Sequence, residues 1–148
     1  MSARDRGSAI VEFVFVAVVV MVPLIYLITA VAAVQRSQLA VSQAAREAGR
    51  AFATSDSAAD TQSRVEAAVR LALESQGLPD DVSVRVVAAD DSCSGQSITP
   101  ALVAGAVFRI CVSRHVDIPA VPNVIAGRGI TSTGEYVVHV DDFRTVAP

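Results

Sequence analysis

Few side chains in this sequence are placed to do chemistry, and the most informative is Glu12. Residues 13–34, which follow it, carry no charge at all. A carboxylate at the start of a membrane-length apolar run either reaches back to the interface or finds a cation, because an ionised group at the bilayer centre costs roughly 2.5–3.5 kcal/mol on insertion scales. Taken alone, a simple reach back to the interface and a functional role are equally open. Cys93 and Cys111, the only cysteines, both follow the apolar run. In an oxidising space an even count reads as a disulfide, and the spacing is not the C-x-x-C of redox centres. Two buried thiols are the alternative. A bridge closing such a loop adds about 3 kcal/mol in the chain-entropy model. His115-Val116-Asp117 and His139-Val140-Asp141 place His and Asp two residues apart, on one strand face. Four ligands converge if those strands are neighbours in register. Exposed polar residues on a half-buried sheet explain the pairs more simply, so no metal is assigned.

Other constellations carry less. Asp80-Asp81, Asp90-Asp91 and Asp141-Asp142 read as solvated turn and strand-end residues, without EF-hand spacing. Gly127-Arg128-Gly129 is too short to cradle a phosphate, and no Walker, dinucleotide or Ser/His/Asp pattern occurs. No catalytic site is found, and the expectation is a protein that is not an enzyme. A net charge of −3 with no basic stripe or aromatic platform gives no signature of nucleic-acid binding. All twelve cationic side chains are arginine.

The element that must carry Glu12 is a helix. Residues 13–34 would extend about 33 Å as an α-helix, against a hydrocarbon core about 30 Å thick. Arg4 and Arg6, offset by Asp5, precede the run and Arg36 follows it. That weak bias favours a cytoplasmic N-terminus, with everything after about Arg36 outside the inner membrane. Ala30-Val31-Ala32 also fits the small-residue pattern before a signal-peptidase cut, but the apolar stretch ahead of it is longer than such signals need. Pro23 lies mid-run, where a proline is either a mild kink or a point that bends on demand.

Gly7 followed by an apolar helix with Glu12 at its fifth position and Phe13 at its sixth resembles the processing site of type IV prepilins. The stretch Arg6-Gly7-Ser8-Ala9-Ile10-Val11-Glu12-Phe13 is more specifically similar to the TadE-like pseudopilins of tight-adherence (Tad/Flp) pilus systems. Gln43-Ala44-Ala45-Arg46-Glu47-Ala48-Gly49-Arg50-Ala51 resembles their Ala/Arg-rich helix after the membrane. The resemblance covers about residues 4–53. It implies cleavage by a prepilin peptidase between Gly7 and Ser8, with Glu12 serving processing or docking. It further implies partners among other pilins or pseudopilins, the Tad inner-membrane assembly platform and membrane lipid. The cut would create an ammonium at Ser8, and a paired charge is far cheaper in low dielectric than a lone one. The organisation so implied is a leader at 1–7, a membrane segment at 8–34, a helix extension at 35–53 and an extracytoplasmic domain at 54–148. An uncleaved single-pass protein with a ligand-binding outer domain is the alternative.

In the body, Val34, Val41, Ala45, Ala48 and Phe52 share one helix face, so the first helix continues to about Ala53. Ser57, with Asp60 three residues on, starts a second helix. Val65, Ala68, Val69, Ala72 and Leu73 form its apolar stripe, which should rest on a sheet, and Gly77-Leu78-Pro79 ends it. Alternation predicts strands at residues 82–86, 108–113 and 136–140, with loops at 90–100 and 117–134 and an ambiguous stretch at 101–106. Phe108, Ile110 and Val112 should face inward and Cys111 outward, within reach of a loop carrying Cys93. The fold class is α+β: a long N-terminal transmembrane helix, a second helix and a short antiparallel sheet, in a pilin-like layout.

Overall fold

The computed structural model describes residues 4–117 and 129–143. Residues 1–3 of the leader and 118–128 of the loop expected at 117–134 lie outside the described residues, as do Gly127 and Arg128 of the Gly-Arg-Gly stretch. Five elements follow in order: α1 (Arg4–Ala53), α2 (Ala58–Glu74), β1 (Val82–Ala88), β2 (Val107–Val116) and β3 (Ile130–His139). The strands form one antiparallel sheet in the order β1-β2-β3. The architecture is α+β.

α1 is 50 residues long, about 75 Å at the helical rise. It divides into two zones by what surrounds it. From Ile10 to Ile28 every large apolar side chain is 45–74% exposed. From residue 37 to 52 one stripe is buried, comprising Ser37, Ala40, Val41, Ala44, Ala45, Ala48, Gly49 and Phe52. That is the i, i+3, i+4, i+7 pattern of an amphipathic helix. Pro23 does not interrupt the helix. Nearby, the Thr29 hydroxyl lies 3.0 Å from the carbonyl oxygen of Ile25 and 2.9 Å from that of Tyr26, folded back on its own helix.

The sequence reading placed the α2 stripe on the sheet; the structure places it on α1. α1 contacts β2, β3 and α2, whereas α2 contacts α1 and none of the strands. The lower half of α1 is thus a middle layer, with the sheet on one side and α2 on the other. Its small residues explain the arrangement: a helix rich in Ala and Gly lets neighbours approach from two directions. Phe52 fills the distal end, its ring 4.6 Å from that of Phe108 and edge-on to it. Leu73, Val69, Ile110, Val112 and Val138 complete the core.

The helix ends follow the sequence signals. The Ser57 side chain accepts a hydrogen bond from the Asp60 amide at 3.2 Å and caps α2. Gly77 adopts φ +66° after the last turn, and the Leu78 amide bonds back to the Leu73 carbonyl at 3.1 Å. The strands run longer than alternation predicted. β3 is the largest departure: it begins at Ile130, so residues 130–134 of the expected loop are strand. Gly134 lies against the backbone of α1, where a Cβ would collide with the Val41 carbonyl and the Ser42 amide nitrogen. The glycine that made this stretch look like a loop is what lets the strand pass under the helix. Residues 101–106 contain only a turn.

Candidate functional site

The bare zone of α1 is long and apolar enough to cross a membrane, and the most apolar window within it has mean hydropathy 2.8 with none of its residues buried. Fully burying one Val, Leu, Ile or Phe side chain stabilises by about 1.5–3 kcal/mol. A row this long left in water would therefore cost tens of kcal/mol, more than a small domain's whole stability of about 5–15 kcal/mol. The zone requires lipid or other helices around it.

Glu12 projects from the first turns of this zone and is exposed, with no ion-pair partner among the described residues. Phe13 beside it is 74% exposed. Gly7 and Ser8 lie in the opening turns of α1, which begins at Arg4. The first four amides of any α-helix lack intrahelical acceptors, so residues 4–7 are tied to the helix through their carbonyls alone. Gly7 costs about 1 kcal/mol relative to alanine in a helix. Ser8 and Glu12 are four apart, the spacing that puts two residues on one helix face.

On the outer sheet face Cys93 and Cys111 are joined, with Cα atoms 5.7 Å apart. Cys111 lies on the face opposite Phe108, Ile110 and Val112, as alternation predicted. The bridge pins residues 89–98 across this face. The Ile98 amide bonds to the Val86 carbonyl at 2.8 Å, Arg85 donates to the Gly95 carbonyl at 2.9 Å, and Arg109 donates to Ala89 at 2.9 Å. Val87 is fully buried. Sequence reasoning missed two ion pairs: Arg109 to Glu135 across β2 and β3 at 2.7 Å, and Arg114 to Asp81 at 2.7 Å. Single residues of either sign on alternating strands give no register, so nothing in the sequence joined them.

The two His-Val-Asp pairs do not converge. His115 is registered opposite Thr131, and His139 opposite Val107. Eight strand residues separate the two histidines, about 27 Å at the strand rise. His115 stands 3.5 Å from Asp117, and His139 stands 3.5 Å from Asp142 rather than from Asp141. The described residues hold no group of three or more metal-ligating side chains. What the described residues offer is a bare helix, an exposed carboxylate and a disulfide-pinned domain.

No curated protein and no solved structure matches the chain. Residues 7–50 match the family model described as TadE-like protein. The match opens on Gly7, takes in Glu12, Phe13 and the whole bare zone, and ends at the exposed Arg50, beside the buried stripe. Over these residues, under a third of its length, the chain is similar to TadE-like proteins.

Proposed function

We propose that the protein is a minor pseudopilin, a structural or assembly component of a Tad-type pilus. A prepilin peptidase cuts the precursor between Gly7 and Ser8 on the cytoplasmic face. The protein is held in the bacterial inner membrane as a single pass, N-terminus inside, until assembly. The observation carrying this reading is one continuous helix that joins a charged leader, Glu12, a bare apolar zone and a buried stripe, with the TadE-like match lying along it. Such a helix has two successive solvents, lipid before assembly and the helices of neighbouring pilins after it. Glu12 pairs with the new ammonium at Ser8, of its own chain or of a neighbour, and so enters the apolar interior at reduced cost. α2 and the sheet pack against residues 37–52 of α1, so the membrane segment continues directly into the exported part. Its partners are the peptidase, other pilins along α1, the assembly platform with its motor ATPase, and membrane lipid. Its place at the cell surface fits a role in adhesion.

Glu12→Gln tests the reading. It removes the charge and keeps the shape, so membrane insertion stays normal while incorporation into the pilus falls at least about tenfold, the loss of a single interaction of roughly 1.4 kcal/mol. Normal assembly of the Gln variant would contradict the role given to Glu12.

A further inference from the structure

One end of the sheet stands level with the end of the bare zone of α1. β3 runs in the same direction as α1: Gly134 lies against Val41 and Ser42, and farther along Tyr136 and Val138 lie against Gly49. The Gln38 side chain donates to the Thr133 carbonyl at 3.0 Å. Ile130 precedes Gly134 by a stretch of strand about 13 Å long. Stepping α1 back from Val41 by the same distance, about nine residues at the helical rise, puts Ile130 and its β2 partner Val116 close to Ala32. Ala33 and Val34 are half-buried there, whereas Tyr26, Leu27 and Ile28 are 52–59% exposed. The uncharged residues 13–34 match a hydrocarbon core about 30 Å thick, so the headgroup layer on the domain's side lies at residues 33–36. α2 stops short of this level, its far end joined to α1 by the Gln76 side chain on Gln43 at 3.1 Å. Only the sheet side reaches the bilayer.

The groups at this end suit a lipid surface. Ile130 is on the helix side of the sheet, in phase with the buried Ser132, Gly134 and Val138, yet it is 44% exposed. Thr131 and His115, registered partners on the outer face, are both exposed. Arg36 is exposed and has no ion pair among the described residues. The chain leaves the sheet at Asp117 and re-enters it at Gly129, and the sequence between carries Ile118, Val121, Val124 and Ile125 with one charge, Arg128. We propose that this end of the sheet, through Ile130, Thr131, His115 and the adjoining Arg36, is a lipid-binding surface seated on the phospholipid headgroups around the exit of α1. The proposed surface consists of described residues only. Ile130 enters the boundary between headgroups and acyl chains, and the Arg36 guanidinium donates to a lipid phosphate. α1 fixes the occupant, because a helix that crosses the bilayer carries lipid up to this surface. The seat lies on one side of α1, so it also sets the direction in which the span tilts. The proposal rests on α1 being a membrane span and is independent of the peptidase cut and of Glu12.

Paramagnetic relaxation of backbone amides tests this on the full-length chain in nanodiscs of phosphatidylethanolamine and phosphatidylglycerol. One sample holds a lipid with a gadolinium-chelate headgroup, the other a lipid with a nitroxide near the end of its acyl chain. The headgroup label should erase the Ile130, Thr131 and His115 signals and spare His139 and Val107, at the other end of β3 and β2, about 30 Å away at the strand rise. Ile130→Glu and Thr131→Glu each place a charge on the seat, and each should restore the His115 signal while the far end of the sheet keeps its chemical shifts. Ile130→Leu should behave as the parent. Equal relaxation at the two ends of β3 overturns the proposal, and so does loss of the His115 signal that persists in both Glu variants. The acyl-chain label separates this from the reading beneath it. Relaxation of residues 20–28 with no gradient along β3 refutes the seat alone, whereas failure to relax residues 20–28 refutes the membrane span and the seat with it.

Discussion

Gly134→Ala is the substitution most informative about how α1 is held on the sheet. The new Cβ would fall well inside 3.0 Å of the Val41 carbonyl oxygen and carbon and of the Ser42 amide nitrogen. These are backbone atoms of a helix, so no rotamer change relieves the clash. α1 must withdraw by about 1 Å to restore ordinary contact, and a gap of that size forfeits a quarter to a half of each dispersion contact it opens. The fully buried residues Val41, Ala45 and Ala48 all lie on this stretch of α1. Overpacking costs about 1–3 kcal/mol in a typical core, and a backbone-to-backbone site should reach the top of that range. At about 4–8 °C per kcal/mol for a domain of this size, Tm should fall by roughly 12–24 °C. Scanning calorimetry of the full chain in nanodiscs reads this directly. Gly77→Ala is the control: nothing lies within 4 Å of its Cβ, and only φ +66° is strained, a cost of about 1 kcal/mol. A Gly134→Ala chain melting within a few degrees of the parent would refute the close packing of β3 under α1.

Further expectations follow from the same geometry. Gly49→Ala should cost less than Gly134→Ala, about 1–2 kcal/mol, because its Cβ meets the Tyr136 ring and the Val138 side chain, which can shift; equal costs in urea unfolding would contradict this. Replacing Cys93 and Cys111 together by serine should lower stability by about 3 kcal/mol and speed amide exchange in the segment spanning residues 89–98, and unchanged exchange there would show that the bridge does not hold the segment. Ser57→Ala should cost about 1 kcal/mol by uncapping α2, measured as a shift in the unfolding midpoint.

Legibility of the fold divided along physical lines. The cap at Ser57, the stop at Gly77 and the inward set Phe108, Ile110 and Val112 were readable because each depends on neighbours in sequence. The outward Cys111 was readable from strand parity, and its pairing with Cys93 from the even cysteine count. The surface that receives the Val69 and Leu73 stripe was not readable, because a helical stripe states that it is buried and not against what. β3 was half hidden, since Ser132 and Gly134 are small where α1 crosses and resemble loop residues. Whether the His-Val-Asp pairs converge was not readable, because spacing within a strand says nothing of register between strands. Glu12 was visible as an anomaly in an apolar run, but that it has no ion-pair partner among the described residues needed the structure.

The central claim concerns the bond between Gly7 and Ser8. Intact mass and N-terminal sequence of the protein from native membranes, with and without the prepilin peptidase, test it most directly. The account predicts a chain beginning at Ser8 only where the peptidase is present. A chain beginning at Met1 or Ser2 in both samples would contradict it in favour of an uncleaved membrane protein, and one beginning at Ala33 would make the product a secreted domain.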